Sequence, residues 1–209
     1  MHDSLTPAAT RELLKAVSQH IVDSVDLLTT VDQAIGDGDH GIGMRRGFAA
    51  VLEQLQTQPE TVEAAFKVAG TAIMAKAGGA AGAVFGTLFR SGSAAFAGRS
   101  SLDAEGLAGF LQQGLKAVEQ RGGSRPGMKT MLDALAPAAA AAAKTCPEGL
   151  PATVRAAAAA AAEGVEATKS MIATTGKART LGERSLGHPD PGAVSMSLIL
   201  QAMLDYIAA

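Results

Sequence analysis

"RELLKAVSQHIVDSVDLL", residues 11–28, places Leu14, Val17, Ile21, Val25 and Leu28 at steps of three and four. That spacing lines one face of an α-helix; a half-buried strand would alternate instead. Thr6 and Pro7 supply an N-cap and a first-turn proline, so the helix is expected to begin there. Further helical stretches are expected at roughly 41–56, 61–77, 80–97, 103–121, 129–144, 151–172 and 191–207. Asp103 and Asp190 read as N-caps, Pro191 as a first-turn proline, and Gly122-Gly123 as a helix stop. No stretch alternates long enough to read as a strand. The expected fold class is all-α, with about eight helices and no sheet.

Two alanine tracts, Ala138–Ala143 and Ala156–Ala162, read as helices that pack closely, anchored by Leu132, Leu135, Val154 and Val165. A chain of 209 residues fits one domain, and no boundary stands out within 1–209. The net charge of −2 and the 3% aromatic content argue against nucleic-acid binding. The lone Cys146 cannot form an internal disulfide, and no signal peptide is visible, so a reducing, cytoplasmic setting is expected. The segment nearest to a membrane span, Val68 to Phe89, carries Lys76 and five glycines, so it reads as a buried helix pair around a glycine-rich turn.

"VDQAIGDGDHGIG", residues 31–43, concentrates Asp32, Asp37, Asp39 and His40 among four glycines. In a loop opened by Gly36 and Gly38 the three carboxylates can converge, and then they need a counter-charge. A hard divalent cation such as Mg²⁺ or Ca²⁺ suits an all-oxygen site. Mg²⁺ shares its shell with substrate phosphates, so the loop reads as a metal–phosphate site, assisted by the helix start near Gly41–Gly43, with His40 as a hydrogen-bond donor. An EF-hand is excluded because its twelfth position is Phe48. "GDGDHG" matches GxGxxG formally, but a helix precedes it and its acids would repel a bare pyrophosphate. A solvated acidic turn is the plain alternative.

In "KAGGAAGAVFGTLF", residues 76–89, Gly78, Gly82 and Gly86 recur every four residues, which implies close approach by a packed helix or by a nucleotide. "GGSRPGMKTM", residues 122–131, misses a P-loop because Met128 separates Gly127 from Lys129 and no strand precedes it. "TTGKARTLGERSLGHPDPG", residues 174–192, is the longest irregular stretch and gathers Lys177, Arg179 and Arg184 before Asp190-Pro191-Gly192. Histidines at 2, 20, 40 and 188 are too scattered for a zinc site, and no serine–histidine pair follows from spacing.

Taken together, "DQAIGDGDHGIGMRRGF", "GGAAGAVFGTLF", "PGMKTMLDAL" and "GKARTLGERSLGHPDPGA" resemble, in order, the ADP-binding L subunit of bacterial dihydroxyacetone kinases, over essentially the whole chain. The resemblance implies a closed barrel of eight antiparallel helices with the nucleotide at one end. It implies two Mg²⁺ ions on Asp32, Asp37 and Asp39, and phosphate contacts from His40, Gly41, Ile42 and Gly43. It puts Ala80 and Ala81 beside the nucleotide, Gly122 and Met131 beside the adenosine, and Lys177, Asp190, Pro191 and Gly192 at the closing edge. It implies a separate K subunit that holds dihydroxyacetone, and bound ADP rephosphorylated by a phosphohistidine protein of the phosphotransferase system. A homodimer is a further expectation; nucleic-acid and membrane partners are not. Alternatives are the nucleotide subunit of an ATP-dependent kinase of dihydroxyacetone or a short ketose such as erythrulose, and a non-enzymatic regulatory partner. Fatty-acid kinases, whose related motif reads DGDTG, fit less well. The chain departs from the family pattern at Gly43, Ala81 and Met128, where Asn, Ser and Asp are usual, and each departure removes a polar side chain expected near the nucleotide.

Overall fold

The computed structural model describes residues 3–209; Met1 and His2, the first of the four histidines weighed above, lie outside the described residues. These residues form α1 (Pro7–Asp23), α2 (Val25–Ile35), α3 (His40–Gln54), α4 (Val62–Lys76), α5 (Gly79–Gly92), α6 (Ala104–Gly122), α7 (Leu132–Thr145), α8 (Leu150–Thr168) and α9 (Pro191–Ala208), with short 3₁₀ turns between some of them. The all-α class holds. The one β feature among the described residues is a single antiparallel bridge between Leu5 and Leu102.

The first expected helix is two helices. The chain breaks at Ser24, whose Oγ turns back to donate to the His20 carbonyl at 2.7 Å. This competition of a serine with the backbone is what bends or ends helices. The apolar spacing survives the break, because α2 resumes one residue later, so periodicity alone could not reveal it. The expected caps are present. Thr6 accepts from the Ala9 amide, Asp103 from Gly106 and Asp190 from Ala193. Gly123 ends α6 in the left-handed conformation.

In packing order, α1 lies against α3, α3 against α4, and so on through α8 and α9, and α9 returns to α1. The order therefore closes on itself with eight members, and α2 stands outside it against α3 and α9. One continuous cluster of buried apolar residues runs from Leu5 to Ile207. Within it Phe48, Phe66, Phe89, Phe96 and Phe110 meet ring to ring, with centroids 4.7–6.1 Å apart. The segment Val68 to Phe89 is a helix pair around a turn, as expected, but only one face is buried: Ile73, Phe85 and Phe89 enter the core, while Thr71, Ala75, Lys76 and the turn from Gly78 to Ala80 are exposed. By length and composition α9 could cross a membrane, but half of that window is buried inside the protein. Its apolar residues serve contacts with α1 and α8.

The alanine tracts work as close-packing surfaces. Pro137 lies inside α7 and has no N–H to give the Asp133 carbonyl one turn back. That carbonyl faces Gly164 of α8, where any Cβ would collide with it and would come within 2.8 Å of Ala134 Cα. Gly164→Ala is therefore expected to destabilise the fold by about 2 kcal/mol, read as a lower urea midpoint at unchanged slope. A midpoint equal to wild type would show that α7 and α8 can separate without cost.

Candidate functional site

The acidic loop is built by the end of α2. Asp32 lies in its last turn, 8% exposed, and its carbonyl accepts from the Gly36 amide at 2.5 Å. Its carboxylate folds over Gly36, where a Cβ would overlap it, and accepts from the His40 amide at 3.1 Å. Gly38, at φ +79°, makes the reversal that returns Asp39 to the same point. Asp32, Asp37 and Asp39 thereby offer oxygens that all lie within 4.8 Å of one another. Three carboxylates at this spacing, one of them buried, suit a hard divalent cation.

Lys177 reaches this cluster from the far side of the chain. Its ammonium donates to Asp37 at 2.5 Å and to Asp39 at 2.9 Å. These hydrogen bonds raise the lysine pKa above its ordinary value, and that from Lys177 lowers that of Asp37. All three side chains are more than half exposed, so the pairing contributes little to stability. The segment that carries Lys177 is less irregular than expected, since Lys177–Ser185 forms 3₁₀ turns across a kink at Gly182.

Beside the acids opens a cavity of about 390 Å³. Asp32, Asp39, His40 and Lys177 border it at one end, and Val84, Phe85, Val118, Met131 and Leu132 supply an apolar wall. Gly43, Ala80, Ala81, Gly122, Asp190, Pro191 and Gly192 also line it, so the structure brings together most of the expected site from five separate segments. Asp37 stands outside the lining, at the rim with Lys177. Two more expected residues do not reach the cavity. Gly41 packs against α2, where a Cβ would overlap Thr29 and the Val25 carbonyl. Ile42 points outward and is 44% exposed. Both follow from the helix that begins at His40, which turns each successive side chain by about 100°. Gly78 belongs to the turn before α5, at φ +74°, and not to a helical face with Gly82 and Gly86. Gly86 serves helix packing, because a Cβ there would come within 2.7 Å of Met74 on α4.

The family model for the DAK2 domain matches residues 34–205. The chain belongs to the DAK2 domain family. It is 40% identical over 192 residues to the ADP-binding subunit DhaL of PEP-dependent dihydroxyacetone kinase 1 of Listeria innocua, covering 91% of this chain and 92% of that protein. It is 36% identical to the ADP-binding subunit DhaL of the PEP-dependent dihydroxyacetone kinase of Escherichia coli, covering 85% of this chain and 86% of that one. The crystal structure of the C. freundii dihydroxyacetone kinase in complex with AMP-PNP and Mg²⁺ superposes with a TM-score of 0.74 at 24% identity, over 95% of this chain and 34% of that one. At that identity the superposition speaks for the fold.

Of the three positions at which the resemblance implied a departure, two lie at the cavity and one outside it. Gly43 lets the Ala77 carbonyl approach, since a Cβ there would lie 3.0 Å from it. Ala81 lines the wall without a polar group. Met128 does not line the cavity; its carbonyl accepts from the Thr174 amide at 3.4 Å.

Several residues lining or supporting the cavity escaped the sequence reading. His40 Nε2 lies 2.8 Å from Oγ of the fully buried Ser195 on α9, a pair 155 positions apart that no spacing argument could find. Burial holds the His40 pKa below its ordinary value, against the opposing fields of Asp32 and Asp39. Arg46 borders the cavity and donates to the Ala77 carbonyl at 3.1 Å. Its signal was the arginine pair after the loop, two and three residues past Gly43. Lys129 and Thr130 also line the cavity.

Asp190 caps α9 and borders the cavity. Burial and the neighbouring Asp133 raise its pKa to about 7, although Lys129 pulls the other way. The folded state then holds a proton that the unfolded chain releases above its ordinary value of 3.8, so Asp190 makes stability fall as pH rises from about 4 to 7. Because the group still reaches the cavity, screening trims this to on the order of 1–2 kcal/mol. Asp190→Asn keeps the cap, and urea denaturation of the nucleotide-free chain should show a flatter pH dependence across that window. Parallel profiles for the two proteins would show that Asp190 stays ionised.

Proposed function

We propose that this chain is the Mg²⁺-dependent ADP-binding subunit of a phosphotransferase-system-dependent dihydroxyacetone kinase. It passes a phosphoryl group through bound ADP/ATP to dihydroxyacetone held on a separate K subunit. One observation carries the reading: of three converging carboxylates, Asp32 and Asp39 line a cavity that also has an apolar wall, and Asp37 stands at its rim. That polarity suits a nucleotide, with its phosphates toward the acids and its base against Val118 and Met131. The names of the Listeria and E. coli relatives, each matched along most of its length, support the same activity. The closed neighbour order of eight helices supports the expected antiparallel barrel, and 1–209 as one nucleotide-binding domain.

In this reading Asp32, Asp37 and Asp39 hold two Mg²⁺ ions, which when bound neutralise the phosphate charge and align donor and acceptor oxygens. The first turn of α3 offers the backbone N–H groups of Gly41 and Ile42 to a phosphate, while those of His40 and Gly43 are held by Asp32 and Asp39. The His40–Ser195 hydrogen bond fixes the imidazole in that turn. Lys177 is placed to contact a phosphate oxygen once the acids are occupied by metal, and Asp190 to Gly192 close the adjoining edge. The apolar wall excludes water from the base and leaves the phosphate end open toward a partner, where Ile42 is exposed. The K subunit and a phosphohistidine donor are the partners, in the cytoplasm.

A second reading has one observation in its favour. The chain is 32% identical to the L-erythrulose 1-kinase of Mycolicibacterium smegmatis over 93% of its own length, though it spans 35% of that protein. It would then exchange ATP each turnover beside a ketose-binding partner.

The protein purified in Mg²⁺ without added nucleotide is expected to release near-stoichiometric ADP on denaturation, identified by chromatography. An empty site that binds added ATP would favour the exchanging kinase, and binding of neither would exclude both readings. Asp37→Ala should weaken Mg²⁺-dependent ADP binding by at least about tenfold, while stability changes by less than about 1 kcal/mol because the residue is exposed. Calorimetric titration with and without Mg²⁺ checks this, and an unchanged affinity would remove Asp37 from the metal site.

A further inference from the structure

Lys129 is the lysine that made residues 122–131 look like a near-miss for a phosphate-binding loop, yet its ammonium turns away from the acidic end. It is 2% exposed. Its Nζ donates to the carbonyls of Thr168 at 2.6 Å, Met171 at 3.2 Å and His188 at 2.6 Å. An ammonium has three donors, and here three backbone oxygens from two other segments use all of them. To make this reach, the residue adopts φ +62°, a left-handed conformation that costs a side-chain-bearing residue free energy and persists where its surroundings enforce it. Asp133 enforces it by accepting from the amides of Gly127 and, at 2.7 Å, Thr130, on either side of Lys129.

The three segments that Lys129 joins are the turn before α7, the end of α8 with the residues after it, and the approach to α9. The first supplies Met131 to the apolar wall, and the last supplies Gly192, where a Cβ would stand 3.2 Å from Met131 Cβ. Thr168 adds to the junction by accepting from the Asp190 amide at 3.0 Å. We infer that Lys129 is a positioning residue: its ammonium, held by the carbonyls of residues 168, 171 and 188, sets the separation of Met131 and Gly192 and so shapes the pocket for the nucleoside half of the ligand. The inference rests on the nucleotide reading of the cavity. It assigns Lys129 to the base-side wall, and none of its ammonium hydrogen bonds is left for a phosphate.

A residue that only supports the fold would affect every ligand of the cavity alike. A residue that shapes the nucleoside wall would affect ADP and spare a ligand that lacks a nucleoside. Dissociation constants for ADP and for inorganic pyrophosphate, each in Mg²⁺, are measured by calorimetry on the full chain, on K129M and on V154A. Val154 is a buried core residue that does not line the cavity. K129M is expected to weaken ADP about tenfold and to leave pyrophosphate within about twofold, as displacement of a positioning wall predicts; V154A should leave the ratio of the two unchanged. If K129M does not fold, K129R carries the test, because the larger guanidinium cannot sit in the same carbonyl cage and the ADP-to-pyrophosphate affinity ratio should still fall severalfold. Equal losses for both ligands, or an unchanged ratio in the folded variant, would overturn the assignment while the nucleotide reading stands. A wild-type chain that binds neither ligand would overturn both.

Discussion

Mutual repulsion of Asp32, Asp37 and Asp39 is the constraint around which the phosphate end of the molecule is arranged. Carboxylates whose oxygens lie within 4.8 Å of one another repel one another unless a positive charge is brought to them. The fold answers locally and at long range. Locally, Asp32 is tied down by the His40 amide. At long range, Lys177 brings a cation from a segment some 140 positions away. The same arrangement that needs a counter-charge is what makes the site fit for divalent metal and phosphate.

The rest of the packing holds the loops around that point. α2 stands outside the closed order of the other eight helices, and its last turn carries Asp32. The break at Ser24 frees α2 from the line of α1 and lets it lie on α3 and α9. α9 contributes at both depths, with Ser195 holding the His40 ring and Asp190 to Gly192 at the cavity edge. Small residues make this geometry possible, since close approach at Gly164 and Gly86 draws α8 onto α7 and α5 onto α4.

The cavity separates two kinds of chemistry. At the acidic end charge is exposed and exchangeable, and contacts such as Lys177 to Asp37 can give way to a ligand at little cost. At the nucleoside end polar groups are buried and fully used. Lys129 spends three hydrogen bonds on carbonyls, and burial raises the Asp190 pKa well above the ordinary carboxylate range. One end is built to exchange partners and the other to keep its shape, a division suited to a coenzyme whose phosphates react while its base stays in place.

The sequence by itself determined the helical class, the main caps and the convergence of three aspartates, because periodicity, capping and glycine-rich acidic loops are local signals. It also marked Gly43, Ala81, Met131 and the Asp190 to Gly192 turn through resemblance to a family pattern. Only the tertiary structure decided that the first helix breaks at Ser24, that Gly41 and Ile42 turn away from the cavity, and that Lys177 meets Asp37. Only it showed His40 meeting Ser195, and Lys129 facing backbone carbonyls in place of phosphate. Each of these depends on a partner tens of positions away or on the helical phase after a turn, and a linear pattern carries neither.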